Sequence, residues 1–136
     1  MERADFEGFL KQDAPHEPRR PRILVVDDDP LLRLTAALLL EEAGHDVVEA
    51  ASGDEAYALI EAESGRFTHL FTDVQMPGIL DGLRLARLVS TFYPEVTVVV
   101  TSGDASLDDD VQEHCARFIP KPWTPIDVLN LVTRSA

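Results

Sequence analysis

From Arg22 onward, unbroken apolar runs alternate with segments whose apolar residues recur every third or fourth position. "RILVV", Arg22 to Val26, is the β-branched kind of run found in strands buried on both faces. Asp29-Pro30 then opens a helix, with Asp as N-cap and Pro at the first helical position. Leu31, Leu34, Thr35 and Leu38 repeat at helical spacing along it, and Gly44 ends it as a left-handed cap. "HDVVEA" predicts a second, shorter strand, and Ser52-Gly53-Asp54-Glu55 is a capping box that starts a helix to about Glu63. "THLFT" predicts a third strand, Gly82 to Phe92 a third helix, and "EVTVVV" a fourth strand. "SLDDDVQEHC" reads as a weaker, more polar helix and "RFIP" as a short fifth strand. Thr124-Pro125-Ile126-Asp127 opens a last helix that runs almost to Ala136.

Five strands alternating with five helices imply an α/β fold, a parallel sheet wound on both faces by right-handed crossovers. Ligands of such open sheets bind beyond the carboxyl ends of the strands, near the topological switch point. Residues 22–136 account for this domain. Residues 1–21 differ: "QDAPHEPRRP" reads as an extended arm or linker, preceded by Phe6, Phe9 and Leu10 at the spacing of a short helix. That segment is expected either to dock on this domain or a neighbour, or to be a loose tail.

Composition narrows the function. The 136 residues suit one domain, and 45% apolar content is ordinary for a globular protein. A net charge of −13 repels a phosphate backbone, which argues against nucleic-acid binding. One cysteine, Cys115, excludes an internal disulfide and suits a reducing compartment. No apolar stretch approaches the roughly 20 residues of a bilayer span, and no secretory signal opens the chain, so a cytoplasmic location without a membrane partner is expected. Zinc spacing, a phosphate-binding glycine loop and a serine-hydrolase elbow are all missing from the sequence.

Chemistry gathers at the strand ends. Asp27 and Asp28 follow the first strand, Asp73 the third, Thr101 and Ser102 close the fourth, and Lys121-Pro122 follow the fifth. If those strands are neighbours, three carboxylates, a hydroxyl and an ammonium share one pocket. Crowded carboxylates repel, and a hard divalent cation with oxygen preference relieves this; magnesium fits, and manganese could substitute. A carboxylate beside such an ion can act as a nucleophile toward phosphorus. Each residue also has a simpler reading. Asp29 is a helix cap, and Asp27 or Asp28 alone could cap the same helix. Thr101 alone could be a strand threonine, Lys121 a surface cation, Phe118 or Trp123 plain packing, and Asp108 to Asp110 a solvated helix end.

In this order, "ILVVDDDP", "TDVQMPG", "DGL", "VVVTSG" and "FIPKPW" resemble the receiver domain of two-component response regulators, over about 110 residues from Arg22 onward. The resemblance implies a flavodoxin-like five-stranded sheet of order 2-1-3-4-5. It implies that Asp73 accepts phosphate from a phosphohistidine on a sensor histidine kinase or histidine phosphotransfer protein. Asp28, Asp73 and the backbone carbonyl of Gln75 would hold Mg²⁺, with Asp27 acting through a water. Lys121 and Thr101 would contact the phosphoryl oxygens, Phe118 would be an aromatic switch, and Lys121-Pro122 would be cis. The switched surface would span roughly residues 104–136 and bind a downstream protein; a monomer or weak dimer suits the size. "PGILDG" is one residue longer than the commonest loop of similar domains, as in hybrid-kinase receivers, and Arg117 stands where a small residue is common. Gln75 and Gly103 occupy positions that tune phosphate lifetime in similar domains. The sequence fits a stand-alone receiver or a domain of a hybrid kinase or larger regulator. Two other readings are a degenerate receiver that only binds proteins and a small Mg²⁺-dependent phosphatase, whose usual second acid is replaced here by Gln75.

Overall fold

The structure, a computed structural model, describes residues 20–108, 111 and 117–133. The expected arm, Cys115 and most of the expected polar helix after the fourth strand lie outside these residues. Strands β1 (Arg22–Val26), β2 (Asp46–Ala50), β3 (His69–Asp73), β4 (Thr97–Ser102) and β5 (Arg117–Pro120) form one parallel sheet of order 2-1-3-4-5. Helices α1 (Pro30–Glu42), α2 (Gly53–Ala62), α3 (Gly82–Phe92) and α4 (Pro125–Thr133) are described with a 3-10 turn at Ala105–Leu107.

The strands alternate between two apolar layers. Leu24, Val26, Leu70, Val98 and Val100 face a core shared with Ile60 of α2 and Leu85 and Val89 of α3. Ile23, Val25, Phe71 and Val99 face the other, with Leu40 of α1 and Val128 and Leu131 of α4. All five residues of β3 are buried, as the central strand of a doubly wound sheet requires.

Local chemistry sets the helix starts. Asp29 Oδ1 accepts from the amides of Leu31 and Leu32 at 3.0 and 3.4 Å, and Ser52 Oγ accepts from Glu55 at 3.1 Å. Glu55 reaches back to the Ala51 amide at 2.7 Å, one residue earlier than in a standard capping box. Thr124 and Asp127 bond each other's amides through their side chains, at 2.8 and 3.3 Å. Gly44, at φ +95, takes the left-handed conformation expected of it.

The apolar repeat on α1 is not its buried face. Leu31, Leu34 and Leu38 are exposed, at 71%, 46% and 50%, and the buried positions are Ala36, Ala37 and Leu40. The helix is apolar on most of its surface, so spacing alone does not choose its inner face. Small alanines let it lie close on the sheet.

His69 is buried at the amino end of β3. Its Nδ1 lies 2.8 Å from Thr68 Oγ1 and its Nε2 has no hydrogen-bond partner. Burial first, then the charges of Arg117 and His45, push its pKa down to about 4. The folded protein thus prefers the neutral ring. The stability this contributes is complete above the ordinary value near 6.5 and is lost as pH falls through about 4. At about 1.4 kcal/mol per unit, urea unfolding at pH 7.5 and pH 4.5 should show His69→Leu losing about 2 kcal/mol less than the wild type. Equal losses would contradict this account of His69.

Candidate functional site

Strand pairing brings the expected residues together. Val26 pairs with Thr72, so the residues that follow, Asp27 and Asp73, leave neighbouring strand ends side by side. Asp73 pairs with Thr101, and Ser102 with Pro120, which places Lys121 next in line. The Lys121 amide donates to the Ser102 carbonyl at 2.9 Å, and the Val74 amide to the Thr101 carbonyl at 3.1 Å. Lys121-Pro122 is cis.

Carboxylate oxygens of Asp27, Asp28 and Asp73 all lie within 4.8 Å of one another. Lys121 Nζ sits 3.4 Å from Asp27 Oδ2 and 3.2 Å from Asp73 Oδ1. Asp27 and Asp73 are buried and Asp28 is exposed. Burial raises the Asp73 pKa above the ordinary carboxylate value; Lys121 opposes the rise and the Asp27 charge adds to it. One ammonium therefore does not offset the burial of a carboxylate beside its neighbours. Thr101 Oγ1 is buried without a hydrogen-bond partner. A crowded oxygen-donor set and an unsatisfied hydroxyl fit a hard divalent cation and an oxygen-rich anion.

Other candidates occupy supporting places. Gln75 is exposed and lines an open cleft of about 590 Å³ with Met76, Pro77, Asp104 and Leu107. Phe118 is half-buried against the core layer of α2 and α3. Trp123 packs in the opposite layer, its ring 6.3 Å from that of Phe71. Asp29 serves as the α1 cap and joins no acid cluster among the described residues.

Two contributions escaped sequence reasoning. A Cβ on Gly82 would fall 1.8 Å from the Asp73 carbonyl oxygen, so only glycine lets α3 start this close to the Asp73 backbone. Its amide donates to the Val74 carbonyl at 2.8 Å. A glycine at the first helical position, just after the Asp81 cap, was the available signal. The second is Arg33, whose Nη1 donates to the Asp27 carbonyl at 2.8 Å and whose Nε donates to Glu49 Oε1 at 3.0 Å. A bond to a main-chain oxygen leaves no side-chain pattern to read.

Comparison with known proteins agrees with this geometry. The family model of the response regulator receiver domain matches residues 23–133. The gliding motility regulatory protein of Myxococcus xanthus is 39% identical over 93 residues, 67% of this chain and 12% of that protein. The response regulator receiver protein CpdR of Brucella abortus is 31% identical over 83% of this chain and 94% of its own length. The crystal structure of the NtrX receiver domain from Brucella abortus superposes with a TM-score of 0.76 at 31% identity, over 82% of this chain and 95% of that one. The chain spans 12% to 25% of the length of three of its curated relatives. The family match and the superposed structure define the class: a receiver module of two-component signalling. The chain belongs to the response regulator receiver domain family of two-component signalling. Among the described residues, no helix is long and apolar enough to cross a membrane.

The raised Asp73 pKa has a stability consequence. The ionised acid is disfavoured in the folded state, so a penalty appears as pH rises through the ordinary carboxylate value towards the folded one. At pH 7.5 in EDTA, Asp73→Asn should therefore unfold at a higher temperature than the wild type. A lowered midpoint would show that Lys121 outweighs burial.

Proposed function

We propose that this domain accepts a phosphoryl group on Asp73 from a phosphohistidine of a sensor histidine kinase or histidine phosphotransfer protein. The modification would switch the surface formed by residues 104–136 for a downstream protein in a phosphorelay. In this reading residues 22–136 are the switching domain, preceded by residues 1–21 as an arm or linker. The supporting observation is the cluster of Asp27, Asp28 and Asp73 with Lys121 set against two of its members.

An Asp73 carboxylate oxygen forms the new bond to phosphorus while the donor's phosphorus–nitrogen bond breaks. The electron pair leaves with the imidazole nitrogen, and the ring remains on the donor protein. Asp28, Asp73 and the Gln75 carbonyl would hold Mg²⁺, with Asp27 acting through a water; Mn²⁺ has similar donor preferences. When bound, the cation supplies neutralising charge for the carboxylates and the transferred group. Lys121 holds an ammonium against Asp73 Oδ1, where a phosphoryl oxygen would arrive. The unpartnered Thr101 hydroxyl donates to another phosphoryl oxygen once it is present. A shift of Thr101 on making that bond would free space for Phe118, passing the effect of the charge added at Asp73 to the surface beyond β4. Water then attacks the acyl phosphate, releasing inorganic phosphate and restoring the Asp73 carboxylate, so the chemistry is confined to the domain's own phosphorylation and dephosphorylation.

Incubation with acetyl phosphate and Mg²⁺ tests this reading. The wild type should gain the mass of one phosphoryl group, and Asp73→Asn should gain none; an unmodified wild type would refute the proposal. Lys121→Ala should uncouple phosphorylation from signalling. Partner affinity measured before and after phosphorylation of that variant should stay unchanged, and a wild-type increase would contradict the role given to Lys121.

A further inference from the structure

Arg33 contacts the site through its main chain. The Asp27 carbonyl that accepts from Nη1 belongs to the peptide joining Asp27 to Asp28, two members of the acid cluster. A peptide group is planar, so holding its oxygen also orients the amide from which Asp28 departs. The Asp27 side chain has its own restraints: Oδ1 accepts from the Asp29 amide at 2.9 Å and Oδ2 meets Lys121 Nζ at 3.4 Å. Asp28 is exposed, and among the described residues no donor bonds its carboxylate. The Asp28 carboxylate is thus placed by its backbone, which Arg33 restrains through the Asp27 carbonyl alongside the Asp29 and Asp27 amide bonds. Glu49 of β2 holds the other edge of the guanidinium at 3.0 Å.

The bland role of such a pair is a surface ion link. Side-chain exposures of 20% for Arg33 and 38% for Glu49 make it a minor contributor to stability. A surface link has no need to bond the main chain of a metal-type cluster, and this one does. Groups that orient ligands in this way commonly change metal affinity by about 10- to 100-fold when removed.

We propose that Arg33, anchored by Glu49, is a positioning residue for divalent-cation binding: it fixes the Asp27–Asp28 peptide so that both carboxylates face Asp73. The inference rests on the cation-assisted reading of the acid cluster given above. It makes a prediction of distinctive sign. A guanidinium beside carboxylates repels a cation, so if Arg33 acted only as a charge its removal would tighten Mg²⁺ binding. As a positioning residue, its removal weakens binding. Lysine keeps the charge but lacks the planar fork that spans two acceptors. Arg33→Lys would therefore leave affinity unchanged under the charge account and weaken it under positioning.

The test is calorimetric titration of the full chain with MgCl₂, supported by the fluorescence of Trp123, for the wild type, Arg33→Gln, Arg33→Lys and Glu49→Gln. Thermal unfolding in EDTA serves as the folding check. Positioning predicts Kd raised about tenfold in both Arg33 variants and by a smaller factor in Glu49→Gln, with thermal midpoints close to wild type. Wild-type or tighter affinity in Arg33→Gln overturns the inference. Should the Arg33 variants fail to fold, Glu49→Gln decides, and an unchanged Kd there overturns it equally. A wild type that binds no Mg²⁺ removes the reading beneath, whereas a binding wild type with unaffected variants removes this inference alone.

Discussion

Two buried carboxylates, Asp27 and Asp73, share one ammonium, Lys121. With Asp28 the cluster holds three carboxylates, their oxygens within 4.8 Å of one another, and Lys121 is the ammonium set against two of them. Carboxylates this close repel one another, most strongly where they are buried. The fold holds those charges together at one edge of the sheet. Adjacent strand ends bring Asp27 beside Asp73 through the Val26–Thr72 pairing, and β5 delivers Lys121 to the same edge. The price is a raised Asp73 pKa and a buried threonine hydroxyl without a partner.

Rigidity and adaptability are distributed accordingly. Below the site, β3 is buried along its whole length between two apolar layers, which leaves Asp73 little freedom of backbone. Gly82 brings the start of α3 against the Asp73 carbonyl, and Asp29 caps α1 just past the acid pair. Arg33 ties that pair to β2 through Glu49. Above the site, contacts are looser: Gln75 is exposed and an open cleft runs beside it to Asp104 and Leu107. A cluster fixed from below and open above suits a group that must meet another protein and then report a change of charge.

Most of this was readable in the sequence, for a physical reason. Each strand is an apolar run, so the polar residue that ends it stands out: Asp27, Asp73 and Lys121 were visible as departures from their own strands. Helix starts were equally plain, because Asp29, Ser52 and Asp127 bond amides within three residues. Strand order was not derivable from such local signals and came from resemblance to a family. Spacing does not show the inner face of α1, because Leu31, Leu34 and Leu38 point to solvent while two alanines and Leu40 face the sheet. Arg33 and Gly82 act on main-chain atoms six and nine residues away, and spacing rules for side chains do not register such contacts.

The central claim is that Asp73 is the nucleophile of a cation-assisted phosphoryl acceptor. Borohydride reduction of the acetyl phosphate-treated protein, followed by peptide mass analysis, tests it most directly, because an aspartyl phosphate is reduced to homoserine. The account predicts homoserine at position 73 when Mg²⁺ is present and none when it is chelated. Homoserine at position 27 or 28 instead, or equal labelling of Asp73 in EDTA, would contradict it.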